Sequence, residues 1–357
     1  MKEGWEIKKL GEVAGILNGF AFDSKLFTDD SKYKPLIRIR DIKRGYTETF
    51  YKGDFSEYYL VKKKDLLIGM DGEFNIAEWK SDDALLNQRV CKIIPNPKDI
   101  LQGYLLWYLP IVLKAIEDAT SFVTVKHLSS RQLQQLPIPV PPLPTQERIV
   151  SELDCINSII EKKREQLKEL DALAQSIFYD MFGDPIHNKK GWEVRKFSEC
   201  YKLRSGKGLS AKEIIEGIYP VYGGNGIVGF HNEYNLEGEN IIIGRVGALC
   251  GNVRNVLGKM FVTDNAFILS KNIENDNVFL QYLLTAHNLR QYAREAMQPV
   301  ISNTSLKNVN IIIPPLPLQQ SFASKIEAIE KQKELIKHSI AETETLLASR
   351  MQYYFVE

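Results

Sequence analysis

The sequence predicts an α/β protein with two similar mixed-sheet domains and two long helices, which pair as an antiparallel coiled coil with pseudo-two-fold symmetry. Two internal repeats support this fold class. The string "GWEIKKLGEV" at Gly4 returns as "GWEVRKFSEC" at Gly191, and "DLLIGMDGEF" at Asp65 returns as "NIIIGRVGAL" at Asn240. Each copy then ends in a proline run followed by a long helical pattern. The chain is therefore a duplication of one domain and one helix.

Each long helix is predicted to begin after a proline run. "PPLPTQERIV" starts at Pro141, and "PPLPLQQSFA" starts at Pro314, 173 residues later. Proline biases the preceding residue to an extended conformation, and it suits the first turn of a helix, where its missing N–H costs nothing. Gln146 and Gln319 lie two residues after the last proline of each run, from where an amide can reach back to the N-cap N–H. Each run predicts a rigid turn from a domain into a helix.

Apolar residues recur with a period of about 3.5 after each proline run, as they do in a coiled coil. Each stripe predicts a helix of roughly 38 residues, about 55 Å long. Two stripes of equal length in one chain favour mutual antiparallel pairing, and the alternative is that each helix packs on its own domain. Lys163 and Lys333 interrupt the stripes at non-equivalent positions. The predicted seam consists of Ile149, Leu153, Ile156, Ile160, Leu167, Leu170, Ile177, Phe322, Ile326, Ile329, Ile336, Ile340 and Leu347.

The predicted segments differ in charge. They are a first domain at residues 1–143, a central helix at 144–184, a second domain at 185–316 and a C-terminal helix at 317–357. The whole chain has a net charge of only +1. The domains carry 21 Lys and Arg against 19 Asp and Glu, and 15 against 11, whereas the helices carry 5 against 9 and 5 against 6. This mild positive bias of the domains permits DNA binding without demonstrating it.

The composition argues against several protein classes. No apolar run approaches the roughly 20 residues that cross a bilayer, and the N-terminus has no apolar signal-peptide core. The four cysteines are scattered without a CxxC pair, which argues against a zinc finger or a disulfide framework. The five histidines form no ligand cluster, so we expect no metal site. We expect a reduced, cytoplasmic protein.

Hydrophobic runs predict the strands and helices of each domain. Strands are predicted in "PLIRIRDI", "DLLIGMD", "RVCKIIP", "NIIIGRV" and "AFILS". Helices are predicted at Tyr104–Thr120 and Asn277–Met297, in equivalent places of the two domains. The G-x-G-x-x-G string at Gly224, Gly226 and Gly229 is not followed by a helical pattern. We therefore expect a glycine-rich turn between short strands there, and no nucleotide site.

Taken in order, these motifs resemble a known family. A Trp-Glu start, a domain ending in "PIPVPPLPTQERIV", a helix ending in "SIFYDMFGD" and a second domain with a second proline-led helix are similar to the specificity (S) subunit of type I restriction-modification systems. The strings "PLIRIRDIKRG" (Pro35–Gly45) and "YPVYGGNGIVGFHNEYN" (Tyr219–Asn235) also resemble phrases of the target recognition domains in that family.

The resemblance implies a subunit with no catalysis of its own. Such a subunit reads a bipartite, asymmetric site in double-stranded DNA, one half per target recognition domain. The resemblance also implies that the helix pair sets the gap between the halves and docks two methyltransferase (M) subunits, and that restriction/translocase (R) subunits join the larger assembly. S-adenosylmethionine, Mg and ATP are then expected in the partner subunits, and no cofactor is expected in this chain.

Polar and basic residues in predicted loops are the candidates for DNA contact, because Arg, Asn, Gln, Ser and Thr read base edges while Lys binds mainly phosphates. The candidates of the first domain are Arg38, Arg40, Lys43, Arg44, Asp71, Asn75, Gln88, Arg89, Lys126 and His127. Those of the second domain are Tyr222, Asn225, Arg245, Asn252, Arg254, Ser302 and Asn303. The alternative for each is an ordinary surface role. Arg38 and Arg40 are predicted to share one face of a strand, and one of them could simply pair with Asp41.

Two other functions are open from the sequence. Asp71, Glu78 and Lys80 follow a hydrophobic strand, as in nucleases whose carboxylates hold Mg²⁺, although the equivalent loop "RVGALCGN" has lost both acids. The second alternative is a protein-interaction scaffold, whose coiled-coil helices recruit partners without binding DNA.

Overall fold

The structure is a computed structural model that describes residues 4–119, 127–210, 212, 214, 217–294 and 298–356. The chain forms two compact units: unit 1 comprises Met1–Lys162 and Ile340–Glu357, and unit 2 comprises Lys163–Ser339. This division passes through both long helices, so each unit contains part of each helix. The four segments predicted from the sequence divide the chain differently and stay a prediction. No helix in the described ranges is both long and apolar enough to cross a lipid bilayer.

Unit 1 contains two larger sheets and one strand pair. Its strands are β1 (Glu6–Lys9), β2 (Ala14–Asn18), β3 (Phe27–Thr28), β4 (Lys34–Ile37), β5 (Phe50–Tyr51), β6 (Leu60–Val61), β7 (Leu66–Gly69), β8 (Ile76–Glu78), β9 (Ala84–Leu86), β10 (Val90–Pro95) and β11 (Pro137–Val140). Its helices are α1 (Leu10–Val13), α2 (Asp41–Arg44), α3 (Gln102–Ala119), α4 (Ser130–Gln134) and the first part of α5 (Leu143–Phe182).

The first sheet of unit 1 is antiparallel, with the strand order β2-β10-β7-β8. The four residues of β7, "LLIG", are all buried, as expected for a strand with neighbours on both sides and α3 over it. Tyr104, Leu105 and Leu109 of α3 pack in one core with Leu66 and Ile68 of β7. A second, mixed sheet has the order β3-β5-β4-β9-β6, in which β4 and β9 run parallel. β1 pairs with β11 and brings the two ends of the domain together.

Unit 2 repeats this plan with a smaller second sheet. Its strands are β12 (Glu193–Lys196), β13 (Tyr201–Ser205), β14 (Tyr219–Gly223), β15 (Gly226–His231), β16 (Asn240–Gly244), β17 (Val253–Val256), β18 (Phe261–Val262), β19 (Ala266–Lys271) and β20 (Asn310–Ile313). Its helices are α6 (Phe197–Cys200), α7 (Asn277–Ala286), α8 (Asn303–Leu306) and part of α9 (Leu316–Phe355). The antiparallel sheet has the order β13-β19-β16-β17, and the mixed sheet has the order β15-β14-β18, with β14 and β18 parallel. β12 pairs with β20 as β1 does with β11.

The two units share a hydrogen bond at the start of their first short helices, α1 and α6. The one-turn helices α1 and α6 each end their first turn in a glutamate. Glu12 accepts a hydrogen bond from the Lys9 amide at 3.1 Å, and Glu199 accepts one from the Lys196 amide at 2.9 Å. The carboxylate pairs with an amide that has no partner within the helix, so the acid at this position fixes the start of the turn.

The two long helices contain 40 residues each, and every predicted seam residue on them is buried or half-buried. In unit 1, Ile149 and Leu153 near the start of α5 share a core with Tyr354 near the end of α9. In unit 2, Phe178 near the end of α5 lies 5.7 Å, between ring centroids, from Phe322 near the start of α9. The start of each helix thus packs against the end of the other, and the pair is antiparallel, as predicted.

The two glutamines of the proline runs make contacts that differ from the prediction. Gln146 does not reach back to the N-cap N–H; its Oε1 accepts from the Leu101 amide at 2.8 Å, and its Nε2 donates to the carbonyl oxygens of Asp99 (3.0 Å) and Pro141 (2.8 Å). Both glutamines are almost fully buried. The amide therefore ties the helix start to the loop before α3, which is a tertiary contact that local sequence rules do not anticipate.

Gln319 makes the equivalent set of bonds in unit 2. Its Oε1 accepts from the Asp276 amide at 3.0 Å, and its Nε2 donates to the Pro314 carbonyl at 2.8 Å and the Asn275 side chain at 3.4 Å. The helix start is thereby tied to the loop before α7. The two glutamines have the same function in both copies.

The two lysines that interrupt the seam form a hydrogen bond and ion pairs with polar side chains. Both contacts lie in unit 2. The Lys163 ammonium donates to the Oγ of Ser339 at 2.7 Å, and the Lys333 ammonium contacts Asp171 at 2.7 Å and Glu330 at 2.8 Å. Polar partners at single seam positions can specify the register of a helix pair.

Two predicted elements differ in extent from the elements in the structure. The strand predicted in "PLIRIRDI" ends at Ile37, and residues 41–44 form the helical turn α2, so Arg38 and Arg40 do not share a strand face. The helix predicted at Asn277–Met297 ends at Ala286 as α7, because Asn288 adopts a left-handed conformation with φ 45°. Residues 295–297 lie outside the described ranges. The glycine-rich string forms the turn of the β14–β15 hairpin, as predicted.

Candidate nucleic-acid interface

In unit 1, backbone hydrogen bonds bring together the loops at one edge of the antiparallel sheet. The Phe20 amide donates to the Leu86 carbonyl at 2.9 Å, which places the end of β2 beside the loop 87–89. The Met70 amide donates to the Arg89 carbonyl, and the Leu128 amide donates to the Met70 carbonyl, each at 2.8 Å. Side chains from four separate parts of the chain therefore lie at one edge.

Gly19 is required for this convergence. A Cβ atom at Gly19 would lie 2.0 Å from the Asn87 carbonyl oxygen, well inside van der Waals contact. The equivalent Gly206 in unit 2 has the same restriction, since its Cβ would lie 2.2 Å from the Val262 carbonyl oxygen. Only glycine allows two backbones to approach this closely.

Asp71, Arg89 and His127 form one cluster at this edge. The Asp71 carboxylate forms an ion pair with the Arg89 guanidinium through one oxygen, and its other oxygen lies 2.5 Å from His127 Nδ1. The side chain of Asp71 is 11% exposed, whereas those of Arg89 and His127 are 59% and 58% exposed. The more exposed side chains of Arg89 and His127 thus cover the Asp71 carboxylate.

An open groove of about 780 Å³ lies beside this cluster. Lys43 forms a 2.7 Å ion pair with Glu73, and this contact holds the pKa of the Glu73 carboxyl below its usual value. Arg40 Nε lies 3.7 Å from the buried carboxylate of Asp41, the partner that the sequence suggested. The predicted residues that line the groove are Arg38, Arg40, Lys43, Asn75, Gln88 and Arg89.

The groove wall also contains two amide oxygens without a hydrogen-bond partner among the described residues, those of Asn75 and Asn87. Asn87 is 7% exposed. A buried polar atom without a partner is costly. Polar ligand groups bound in the groove are one way to offset this cost. Of the remaining candidates of this domain, Arg44 is exposed on α2 outside the groove lining, and Lys126 lies outside the described residues.

Unit 2 contains the same backbone arrangement. The Lys207 amide donates to the Val262 carbonyl at 3.0 Å, the Arg245 amide to the Asn265 carbonyl at 2.9 Å and the Ile301 amide to the Arg245 carbonyl at 2.9 Å. These bonds match those of unit 1 and define equivalent positions. The equivalent pairs are Phe20 and Lys207, Met70 and Arg245, Asp71 and Val246, Asn87 and Thr263, Gln88 and Asp264, Arg89 and Asn265, His127 and Val300, Ser129 and Ser302, and Ser130 and Asn303.

Arg245 is the central cation of the unit 2 edge. Its guanidinium lies 5.3 Å from the ring centroid of Phe267, and its Nη1 donates to Ser205 Oγ at 3.2 Å. The stacking and the hydrogen bond hold an arginine in one orientation. Beside it, Arg254 Nη2 donates to the Asn225 carbonyl at 3.4 Å, which joins β17 to the hairpin turn.

The other predicted residues of unit 2 lie around this edge in structural contacts. The Tyr222 carbonyl accepts from the Thr263 amide at 2.9 Å, and the Asn252 carbonyl accepts from the Gly244 amide at 2.9 Å. Ser302 is the N-cap of α8, and Asn303 Nδ2 donates to the Leu203 carbonyl at 3.2 Å. Ser302 and Asn303 are therefore fixed in place by the fold, whatever else they contact.

Sequence reasoning missed several residues at these edges. Phe20 and Lys207 each follow the obligatory glycine, and both are exposed. The loop residues Asn87, Thr263, Asp264 and Asn265 were also missed. The signal was present in the weak match between "LLNQRVCKI" and "VTDNAFIL", which aligns the two loops once the strands around them are known.

The geometry contradicts the nuclease alternative. Asp71 follows the end of β7, whereas Glu78 on β8 pairs with Leu66 at the opposite end of β7. Five residues of extended chain separate these positions, about 16 Å. Glu78 accepts a hydrogen bond from Gln102, and no group of three or more metal-ligating residues lies in the described ranges. The carboxylates cannot share one metal ion.

Comparisons with known proteins find similar sequences and similar solved structures. The chain is 44% identical over 168 residues to the Type I restriction enzyme EcoBI specificity subunit of Escherichia coli, a match that covers 47% of this chain and 35% of that protein. The chain therefore aligns with about a third of the length of this relative. The crystal structure of a type I restriction-modification S subunit from M. genitalium superposes with a TM-score of 0.61 at 16% identity, covering 99% of this chain and 96% of that one.

A second solved structure comes from a study of complex assembly and conformational transition of the type I R-M system. It has a TM-score of 0.58 at 18% identity and covers 99% of this chain and 96% of that one. The family model for the type I restriction modification DNA specificity domain matches residues 2–171 and again residues 189–345. The chain therefore belongs to the type I restriction modification DNA specificity domain family.

Proposed function

We propose that this chain is the DNA sequence-recognition subunit of a type I restriction-modification system and that it reads a bipartite, asymmetric site. The observation that carries the proposal is the pair of equivalent edges. Each unit holds the same backbone hydrogen bonds around an obligatory glycine, while the side chains at most of the equivalent positions differ. Two recognition domains that share a backbone arrangement but present different side chains can bind different DNA sequences.

The charges of each edge suit DNA. The groove of unit 1 is lined by Arg38, Arg40, Lys43 and Arg89. Phosphate contacts by such cations supply affinity, while amides and guanidinium groups read the base edges. The edge of unit 2 combines Lys207 and Arg245 with Asp264 and Asn265, so its pattern of donors and acceptors is different. The two half-sites should accordingly differ in sequence, and the whole site should not be a palindrome.

The proposal assigns no catalysis to this chain. The helix pair α5 and α9 would set the gap between the half-sites and dock two M subunits, and R subunits would join the larger assembly. S-adenosylmethionine would be bound by the M subunits, and Mg and ATP by the partner subunits. Membership of the family and the named relatives support this division of labour.

The test is a selection from random DNA. The full chain, co-purified with its M subunits, is incubated with a pool of duplexes that carry randomised positions, and the bound fraction is sequenced. We expect enrichment of two short, different blocks separated by a constant gap, and affinity for the enriched duplex should fall steeply as salt rises. Enrichment of no sequence would contradict the proposal and favour a scaffold that does not bind DNA.

A further inference from the structure

We propose that Arg89 reads a guanine in the half-site of unit 1, and that Asp71 is the positioning residue that holds the Arg89 guanidinium for this contact. The inference rests on the proposed function and adds to it the identity of one base. Arginine donates two hydrogen bonds to O6 and N7 of guanine in the major groove, a pairing that distinguishes guanine from the other bases.

The backbone of Arg89 is the first observation. Its φ of 71° lies in the left-handed region, which a residue with a Cβ atom rarely adopts. The Arg89 carbonyl accepts from the Met70 amide at 2.8 Å, so this backbone is anchored to the end of β7. The equivalent Asn265 in unit 2 does not adopt a positive φ. Residues in this sparsely populated backbone region cluster at ligand-binding sites, so the conformation of Arg89 agrees with a contact to a ligand.

The side chain of Arg89 is the second observation. It is 59% exposed, and its Nη1 contacts the Asp71 carboxylate, which is 11% exposed. Asp71 is itself fixed by His127 on its other oxygen at 2.5 Å. The acid therefore restrains the guanidinium from the protein side, and no other group in the part of the chain that the structure describes binds the remaining N–H groups of Arg89. A guanidinium fixed in one plane can donate two parallel hydrogen bonds.

The charge of the pair favours a base over a phosphate. An ion pair with Asp71 cancels most of the net charge of Arg89, which weakens its attraction to phosphate but leaves its directional donors intact. Arg38 lines the same groove and forms no ion pair among the described residues, so its full charge suits a phosphate. In unit 2, the equivalent of Asp71 is Val246, so this pair has no counterpart there.

The decisive variant is Arg89→Gly. Glycine removes the reading side chain and suits the left-handed backbone, which offsets part of the cost of losing the ion pair with Asp71, so the variant should stay folded, as thermal unfolding checks. In the selection from random duplexes, the preference for guanine at one position of one half-site should be lost, so that any base is accepted there. Affinity for the duplex with that guanine should fall about 10- to 100-fold, while every other position and the gap stay unchanged.

Asn265→Ala is the matched control, because Asn265 occupies the equivalent loop position of unit 2. It should alter the other half-site and leave the guanine preference intact. Asp71→Asn tests the positioning role. We expect a weaker guanine preference and, because Arg89 regains its net charge, a salt dependence steeper by up to about one phosphate contact. A residue that merely supports the fold would not change both quantities in these directions.

The outcomes separate the two proposals. If the unmodified complex selects no sequence, the proposed function is wrong. If it selects a bipartite site and Arg89→Gly leaves every base preference unchanged, or relaxes a position that is not guanine, the inference about Arg89 is wrong and the proposed function stands. If Asp71→Asn changes neither the guanine preference nor the salt dependence, the positioning role of Asp71 is wrong.

Discussion

Gly19 and Gly206 show how a single residue type can be required by contacts distant in sequence. Each lies at the end of a strand, where any residue would satisfy the local backbone. Each is nevertheless restricted to glycine, because a backbone carbonyl more than 50 residues away in the sequence occupies the space of the missing Cβ. The edge of each unit depends on this close approach, since the residue after the glycine is placed by it.

Gly19→Ala should therefore destabilise unit 1 by about 2 kcal/mol or more, because the backbone of the 87–89 loop must move away from the new Cβ. Gly15→Ala is the matched control on the same strand. Its Cβ would meet no atom closer than 3.7 Å, so its effect should stay within about 0.5 kcal/mol. Urea unfolding of both variants measures the difference. Equal stability of the two would show that the loop adapts freely.

The buried hydrogen bonds of Gln146 should contribute to the stability of unit 1. Gln146→Leu keeps the approximate size of the side chain but leaves the Leu101 amide and the Asp99 and Pro141 carbonyls without their buried partner. We expect a loss of about 3 kcal/mol in the free energy of unfolding. Gln166→Leu, at an exposed position of the same helix, should be nearly neutral. Similar losses for both variants would argue against the buried bonds as the cause.

At the scale of elements, an ion-pair network joins the start of α5 to the end of α9 within unit 1. The Arg350 guanidinium contacts the Glu152 carboxylate, and the Tyr354 hydroxyl donates to the same carboxylate at 2.5 Å. The hydrogen bonds from Arg350 and Tyr354 hold the pKa of Glu152 below its usual value. The side chains of Glu152 and Arg350 are about one-third exposed, so solvent weakens the pair.

This network should make stability depend on pH. The pKa of Glu152 is lower in the folded chain than in the unfolded chain, so its contribution is present above the unfolded value, near 4.5, and is lost as the pH falls through the lower folded value. Glu152→Gln should cost at most about 1 kcal/mol at pH 7. That difference should disappear towards pH 3 in urea unfolding curves. Glu327→Gln, an exposed acid on α9, is the control. A difference that persists at pH 3 would assign the effect to something other than charge.

For the whole molecule, the proposed function predicts that the helix pair determines the gap of the DNA site. Inserting four residues into α5 lengthens the helix by about 6 Å, roughly one turn. In the selection from random duplexes, the gap should become longer, or binding should be lost because the seam is broken. An unchanged gap with full affinity would contradict the role of the helices as a spacer.

A domain exchange tests whether the two readers are independent. Replacing residues 1–143 with the equivalent segment of another member of the family should change one half-site and leave the other half-site intact. The measurement is the same selection. A change in both half-sites would mean that the two units do not read DNA separately.

The sequence alone determined the fold class, because its evidence is periodic and local. The repeated strings indicated two equivalent domains. The two apolar stripes, one after each proline run, indicated the antiparallel helix pair, because a period of about 3.5 predicts a buried seam. Strands such as β7 and β16 were readable as uninterrupted apolar runs.

Tertiary structure decided what converges at the functional edges. Asp71, Arg89 and His127 are separated by up to 56 residues, and neither their side-chain contacts nor the left-handed backbone of Arg89 has a local sequence signal. The same holds for Gln146, whose partners lie 45 and 47 residues away. Local propensity acts over a few residues, whereas these contacts arise from the packing of strands and loops that only the complete fold brings together.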